Sequence, residues 1–232
     1  LNRFNFTKGA KAGNLLHDIL EHQIFDQSVN ESQIRQKCID SGFEEKWVEC
    51  LKEWVEDILQ CNLGECNLAD LTSEQTLAEM EFYLSCHHLQ AVELNQLLQK
   101  NHYIRPEQQL DFVQINGYLK GFIDLIFQHE GQYFVADYKS NYLGHDYTDY
   151  TQEKCKQAMY DHHYHLQYLI YSLALHRMLK QRLADYLYEK DFGGVYYLFL
   201  RGMSAKEKPG YGVFSHKPDF EVIDQLDRLF ES

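Results

Sequence analysis

The sequence lacks several features that would place it in a class at once. It has no run of about 18 apolar residues, which a transmembrane helix needs, and no charged-then-apolar leader. Its cysteines form no CxxC pair and no group of four, so zinc and iron–sulfur centres lack support. The 232 residues, 44% of them hydrophobic, are enough to bury a full core. We therefore expect a soluble, cytoplasmic protein that forms one domain over residues 1–232 and does not bind a membrane.

Positive charge is also scarce. The formal net charge is −13, whereas proteins that bind DNA phosphates normally carry an excess of lysine and arginine. Residues 40–81 hold twelve acids against two lysines and account for −10 of this charge. This pattern indicates the solvated face of a helical, acidic insertion, which we place at residues 26–78. The charge argues against a self-sufficient DNA-binding module.

Hydrophobic periodicity divides the chain into helices and strands. Four segments have helical spacing: 12–25, 43–60, 163–183 and 219–231. Residues 110–139 alternate as three successive strands, with turns predicted at Asn116-Gly117 and at 129–131. The apolar segment 193–202 is typical of a strand covered on both faces. The order of these segments predicts a mixed α/β fold.

Two acids and a lysine lie on the predicted strands. Alternation places Asp137 and Lys139 on one side of their strand, and Asp124 can face them from the strand before. Carboxylate oxygens suit magnesium, and a nearby lysine can orient water or neutralise developing charge. The spacing is compatible with metal-assisted phosphodiester hydrolysis, but it is weak evidence alone, because a solvated charged hairpin would have the same pattern. The similar Glu44-Glu45-Lys46 falls in a helical stretch, where the lysine does not share a face with the glutamate.

A longer match surrounds these residues. The segment GFIDLIFQHEGQYFVADYKSNYLG resembles the RecB family of nuclease domains in the PD-(D/E)XK superfamily. So do FTKGAKAGNLLHDILE, EMEFYL, DHHYHLQYLIYSLALHRML and FGGVYYLFLRG, so the resemblance covers nearly the whole chain except residues 26–78. It implies a restriction-endonuclease-like fold, with a mixed central sheet flanked by helices. It also implies a C-terminal fragment of a longer helicase–nuclease chain, as a first residue other than methionine suggests.

The resemblance implies roles for particular residues. The implied metal ligands are His17, Asp124, Asp137 and the backbone carbonyl of Tyr138, and the implied catalytic residues are Asp124, Asp137, Lys139, Gln167 and Tyr171. Glu21 and Glu81 are further candidates close to the site. Taken alone, a histidine on an amphipathic helix is more often a surface or core residue. Gln167 and Tyr171, four residues apart on a helix, are equally compatible with packing, and Glu81 with a surface charge on an edge strand.

The implied activity is that of a Mg²⁺-dependent DNA nuclease of the exonuclease V type. Such an enzyme hydrolyses strands that an attached helicase delivers during double-strand-break repair, with RecC- and RecD-like subunits as partners. Mn²⁺ and Ca²⁺ suit the same ligands, and no ATP site is expected because Gly9–Gly13 lacks a preceding strand and a Gly-Lys-Ser/Thr ending. Two alternatives stay open: a non-catalytic docking domain of a repair complex, and a nuclease acting alone, which the negative charge disfavours.

Overall fold

The computed structural model describes residues 1–112 and 114–231 and contains a five-stranded mixed sheet with helices on both faces. The strands are β1 (Thr76–Gln90), β2 (Gln114–His129), β3 (Gln132–Lys139), β4 (Phe192–Phe199) and β5 (Val213–His216). The helices are α1 (Ala10–His22), α2 (Glu31–Asp40), α3 (Val48–Gln60), α4 (Ala91–Lys100), α5 (Gln152–Asp161), α6 (Tyr164–Arg182), α7 (Tyr188–Asp191) and α8 (Phe220–Glu231). The strand order is β1-β2-β3-β4-β5, and β3 and β4 are parallel while the other neighbours are antiparallel. This architecture confirms the mixed sheet flanked by helices.

Two hydrophobic cores lie on opposite faces of the sheet. Val135 and Tyr197 belong to the core under α6 and α8, while Ala136 and Leu198 belong to the core under α1 and α3. β3 and β4 are buried on both faces, and residues 133–136 of β3 and 195–199 of β4 are accordingly apolar without interruption. The acidic segment shares the second core, because Trp54 of α3 is fully buried in it. The indole nitrogen of Trp54 donates a hydrogen bond of 2.8 Å to the carbonyl oxygen of Leu200, just after β4.

The turn predicted at Asn116-Gly117 is wrong. β2 runs without interruption through these residues and pairs with β1, from Thr76 opposite Phe127 to Cys86 opposite Gly117. The Asn116 side chain accepts a hydrogen bond of 2.7 Å from the backbone N–H of His88, at the register shift between Cys86 and Leu89. The Asn-Gly pair therefore lies opposite a β-bulge instead of forming a turn. Of the strand predicted before it, residues 110–112 are irregular and Val113 lies outside the described residues.

Other predicted elements are confirmed within a few residues. Glu130 and Gly131 both have positive φ, 47° and 81°, as a tight hairpin turn between β2 and β3 requires. β3, the long helix α6 and the terminal helix α8 lie where periodicity places them, whereas residues 200–202 form a 3-10 turn after β4. α4, α5, α7 and β5 were not predicted, whereas α2 lies within the insertion at residues 26–78 that was predicted to be helical. None of the helices within residues 1–112 and 114–231 is both long and apolar enough to cross a bilayer.

A buried arginine fixes the segment that precedes α1. Arg201 is fully buried at the end of β4, and its guanidinium donates to the backbone carbonyls of Arg3, Phe6 and Thr7. Arg3 in turn forms an ion pair with Asp57 of α3 and donates a hydrogen bond to the backbone carbonyl of Met203, after β4. We name this set the Arg201 clamp. It attaches the first residues, and with them the start of α1, to the end of the buried strand β4.

Candidate active site

The site lies where β2 and β3 stop pairing. Their ladder ends at Leu125 opposite Ala136, so the next residue in each strand, Asp124 and Asp137, is released from it. The Oδ2 oxygen of Asp124 accepts a hydrogen bond of 2.7 Å from the backbone N–H of Tyr138. The carboxylate therefore spans the opening between the strands, and the two acids lie on either side of one small gap.

Helix α1 brings His17 to the same place. α1 approaches the end of β3 closely at Gly13, where a Cβ would lie 2.7 Å from the Oγ of Ser140. One turn later, His17 places Nε2 2.9 Å from the carbonyl oxygen of Tyr138 and Nδ1 3.5 Å from Oδ1 of Asp124. Burial lowers the pKa of His17, but the hydrogen bond and charge of Asp124 outweigh it, so the pKa is raised overall. The imidazole thus faces a carbonyl oxygen and a carboxylate, and both contacts favour its protonated form.

Asp137 carries the more deeply buried of the two carboxylates. Its side chain is buried, and burial raises its pKa to about 6 although the charge of Lys139 opposes the shift. The Nζ of Lys139 forms an ion pair with Oδ2 of Asp137 over 2.5 Å. The charge of Asp124 also raises the pKa of Asp137, so two carboxylates face each other here and a cation between them would relieve their repulsion.

Helix α6 supplies the support for the lysine. The Nζ of Lys139 donates to Oε1 of Gln167 over 2.9 Å, and Nε2 of Gln167 donates to the Tyr171 hydroxyl over 2.9 Å. Burial raises the pKa of Tyr171, so its hydroxyl keeps its proton. The spacing of four residues places Gln167 and Tyr171 on one face of the helix, where they meet the end of β3.

A divalent cation fits this set of groups. The Tyr138 carbonyl and the carboxylates of Asp124 and Asp137 provide hard oxygen ligands, and His17 provides a nitrogen once its proton is released. The fit rests on this donor set, in which two carboxylates, a backbone carbonyl and an imidazole meet beside the buried side chain of Asp137.

Two acids of β1 lie close in sequence but differ in position. Glu81 is exposed and forms an ion pair with Lys120 on the outer face of the sheet, so the structure does not bring it to the site. Glu79 is half-buried, and burial together with the charges of Asp124 and Glu21 raises its pKa. Glu79 therefore belongs to the site's surroundings, although sequence reasoning did not single it out. Its φ of 50° interrupts the strand geometry on which alternation depends.

The remaining candidate, Glu21, is exposed on α1. Glu21 has no described hydrogen bond to His17. Instead it forms, with Asp18 and His22, a group of ligand-type side chains within 4.8 Å of one another. The ammonium of Lys37 lies 2.7 Å from Asp18 and already offsets its charge. This group is separate from the gap between β2 and β3.

A mixed sheet whose diverging strands present two carboxylates and a lysine, faced by a histidine from the first helix, defines a class of metal-dependent nucleases. The family model described as the PD-(D/E)XK nuclease superfamily matches residues 3–231. The chain therefore belongs to the PD-(D/E)XK nuclease superfamily, whose members use divalent metals.

Three relatives show how the match extends. The RecBCD enzyme subunit RecB of Escherichia coli is 43% identical over 234 residues, covering 99% of this chain and 20% of the relative. The subunit of the same name from Haemophilus influenzae is 40% identical over 233 residues, covering 99% of this chain and 19% of the relative. That from Buchnera aphidicola is 36% identical over 235 residues, covering 99% and 20%. The chain spans about a fifth of the length of these relatives, and the resemblance to RecB nuclease domains is confirmed.

Proposed function

We propose that this chain is a Mg²⁺-dependent nuclease domain that hydrolyses phosphodiester bonds in DNA. The proposal rests on one observation. The buried carboxylate of Asp137, paired with the Lys139 ammonium, borders a gap that is also lined by Asp124, His17 and the Tyr138 carbonyl. Mn²⁺ and Ca²⁺ suit the same ligands.

The residues have complementary roles in this proposal. A bound divalent ion supplies charge neutralisation at the phosphate and a hydroxide at neutral pH. His17, Asp124, Asp137 and the Tyr138 carbonyl would hold it. The ammonium of Lys139, fixed by Gln167, lies beside Asp137 and donates hydrogen bonds to charge that develops on the phosphate oxygens. Tyr171 holds the far end of the Gln167 amide.

We infer that the domain acts within a larger enzyme. The relatives are named as subunits of RecBCD and are about five times longer than this chain, which accords with a helicase portion in the same parent protein. RecC- and RecD-like subunits would be its partners, and DNA its substrate, in exonuclease V-type degradation during double-strand-break repair in the cytoplasm. The net charge of −13 supports delivery of DNA by such partners over independent capture.

The decisive test is the variant Asp137→Ala. We expect it to abolish Mg²⁺-dependent degradation of linear DNA while leaving the circular dichroism spectrum unchanged. The matched control is Asp26→Ala, which removes an exposed carboxylate outside the site and should retain activity. Full activity of Asp137→Ala would refute the assignment.

Metal binding separates this proposal from a docking domain that merely keeps the fold. Calorimetric titration with Mn²⁺ should show binding to the unmodified chain and a weaker affinity in His17→Ala. A docking domain would bind no ion at this site in either protein. A nuclease that acts alone would instead bind DNA ends tightly with a steep dependence on salt.

A further inference from the structure

A second tyrosine contacts the Gln167 amide from the sheet. Tyr197 of β4 is fully buried, and its hydroxyl donates to Oε1 of Gln167 over 2.9 Å. Burial raises the pKa of Tyr197 well above its ordinary value, so the hydroxyl remains a donor. Neither the sequence motif on α6 nor the chemistry of the metal ligands includes this residue.

The amide of Gln167 has only one orientation that satisfies its neighbours. Oε1 accepts from both Lys139 and Tyr197, and Nε2 donates to Tyr171. Lysine has no acceptor, so a flipped amide would set its NH₂ group against the ammonium. The second donor at Oε1 stabilises the productive orientation and holds the acceptor at the point where Lys139 needs it.

The ammonium depends on this anchor. Lys139 is 9% exposed, and its Nζ lies 3.9 Å from the centre of the Tyr164 ring and 5.0 Å from that of Tyr197. Its carboxylate neighbour is Asp137, which the proposed function assigns to the metal. Once Asp137 serves a cation, the hydrogen bond to Gln167 is the described polar contact that keeps the ammonium in place.

We propose that Tyr197 is a positioning residue for Lys139, acting through its hydroxyl on the Gln167 amide. This inference rests on the proposed function, because the position of the ammonium matters only if the site hydrolyses a phosphodiester. Tyr197 would touch neither substrate nor metal. Its loss should therefore lower turnover while leaving the affinities for metal and DNA unchanged.

The variant Tyr197→Phe tests the role because it removes a single oxygen and keeps the ring. We expect kcat for DNA degradation to fall roughly tenfold, the effect of about one hydrogen bond, while KM and the calorimetric Kd for Mn²⁺ stay the same. The matched control is Tyr196→Phe, which alters the preceding, equally buried tyrosine in the other hydrophobic core. It should match the unmodified chain in all three quantities.

A double-mutant cycle with Gln167→Ala tests the route of the effect. If Tyr197 acts through Gln167, Tyr197→Phe has no further effect on kcat once the amide is absent. Additive losses would overturn the proposal, as would a kcat for Tyr197→Phe equal to that of Tyr196→Phe or a parallel loss of Mn²⁺ affinity. Thermal melting checks folding, and Gln167→Ala alone should reproduce the loss of kcat with Mn²⁺ affinity retained. An unmodified chain that neither binds Mn²⁺ nor degrades DNA would instead refute the proposed function.

Discussion

Acid should destabilise this domain through one buried histidine at the start of α6. His165 is 4% exposed, and its Nδ1 has no hydrogen-bond partner in the part of the chain that is described. The rings of Tyr160, Tyr168 and Phe214 lie 4.5, 5.5 and 5.8 Å from its own. Burial lowers the pKa of His165 to about 4, and the charges of His216 and Lys156 act in the same direction.

The sign and size of the effect follow from linkage. The unfolded chain binds the proton at the ordinary pKa of 6.5, and the folded chain binds it only near 4. The contribution of His165 to the free energy of unfolding is therefore complete above about pH 6.5 and is lost as the pH falls toward 4. The full difference corresponds to about 3 kcal/mol, of which about 2 kcal/mol is lost by pH 5. That is a large share of the 5–15 kcal/mol by which a domain is typically stable.

The variant His165→Phe should remove this loss, because phenylalanine fits among aromatic rings and does not titrate. Urea denaturation at pH 7.5 and pH 5 measures it: His165→Phe should lose about 2 kcal/mol less between the two conditions than the unmodified chain. The control His145→Phe alters a histidine whose side chain is 88% exposed and should leave the difference unchanged. Equal losses in the unmodified chain and His165→Phe would show that the burial argument is wrong.

Three further outcomes test other parts of the structure. Arg201→Met leaves three backbone carbonyls without their donor, so urea denaturation should show a free energy of unfolding lower by at least about 3 kcal/mol. Mn²⁺ binding should weaken as well, and an unchanged denaturation midpoint would contradict the Arg201 clamp. Glu79→Gln should lower the rate of DNA degradation and Glu81→Gln should not, so equal effects would contradict the placement of Glu79. Mg²⁺ at a hundredfold excess over its Kd should raise the Tm of the unmodified chain by about 5–10 °C, an effect that Asp137→Ala should lack.

Local patterns predicted the elements that carry the carboxylates. β3 is recognisable because its residues are buried on both faces, and the Glu130-Gly131 turn sets its register against β2. Asp124, Asp137 and Lys139 are close in sequence, so alternation alone brought them near one another. The Asn116-Gly117 turn failed because its true partner strand, β1, lies far back in the chain.

Long-range contacts were beyond local reasoning. His17 and the Tyr138 carbonyl are 121 positions apart, so only the family resemblance linked them. Glu79 and Glu81 have the same chemistry two residues apart, and the positive φ that separates them has no simple sequence signal. Tyr197 lies in an apolar strand sequence like any aromatic residue of the core, so the hydrogen bond of its hydroxyl to Gln167 could not be predicted from the sequence.

The Arg201 clamp also bears on how such a domain is made. It joins residues 198 positions apart, and the site takes His17 from the start of the chain and its lysine support from α6 and β4 near the end. A ribosome completes the carboxylate hairpin well before it releases these later elements. The growing chain thus carries acids without an anchored α1 or a fixed lysine. If the proposed function holds, hydrolysis would require β4 to have joined the sheet, so the domain would degrade DNA only once it is whole.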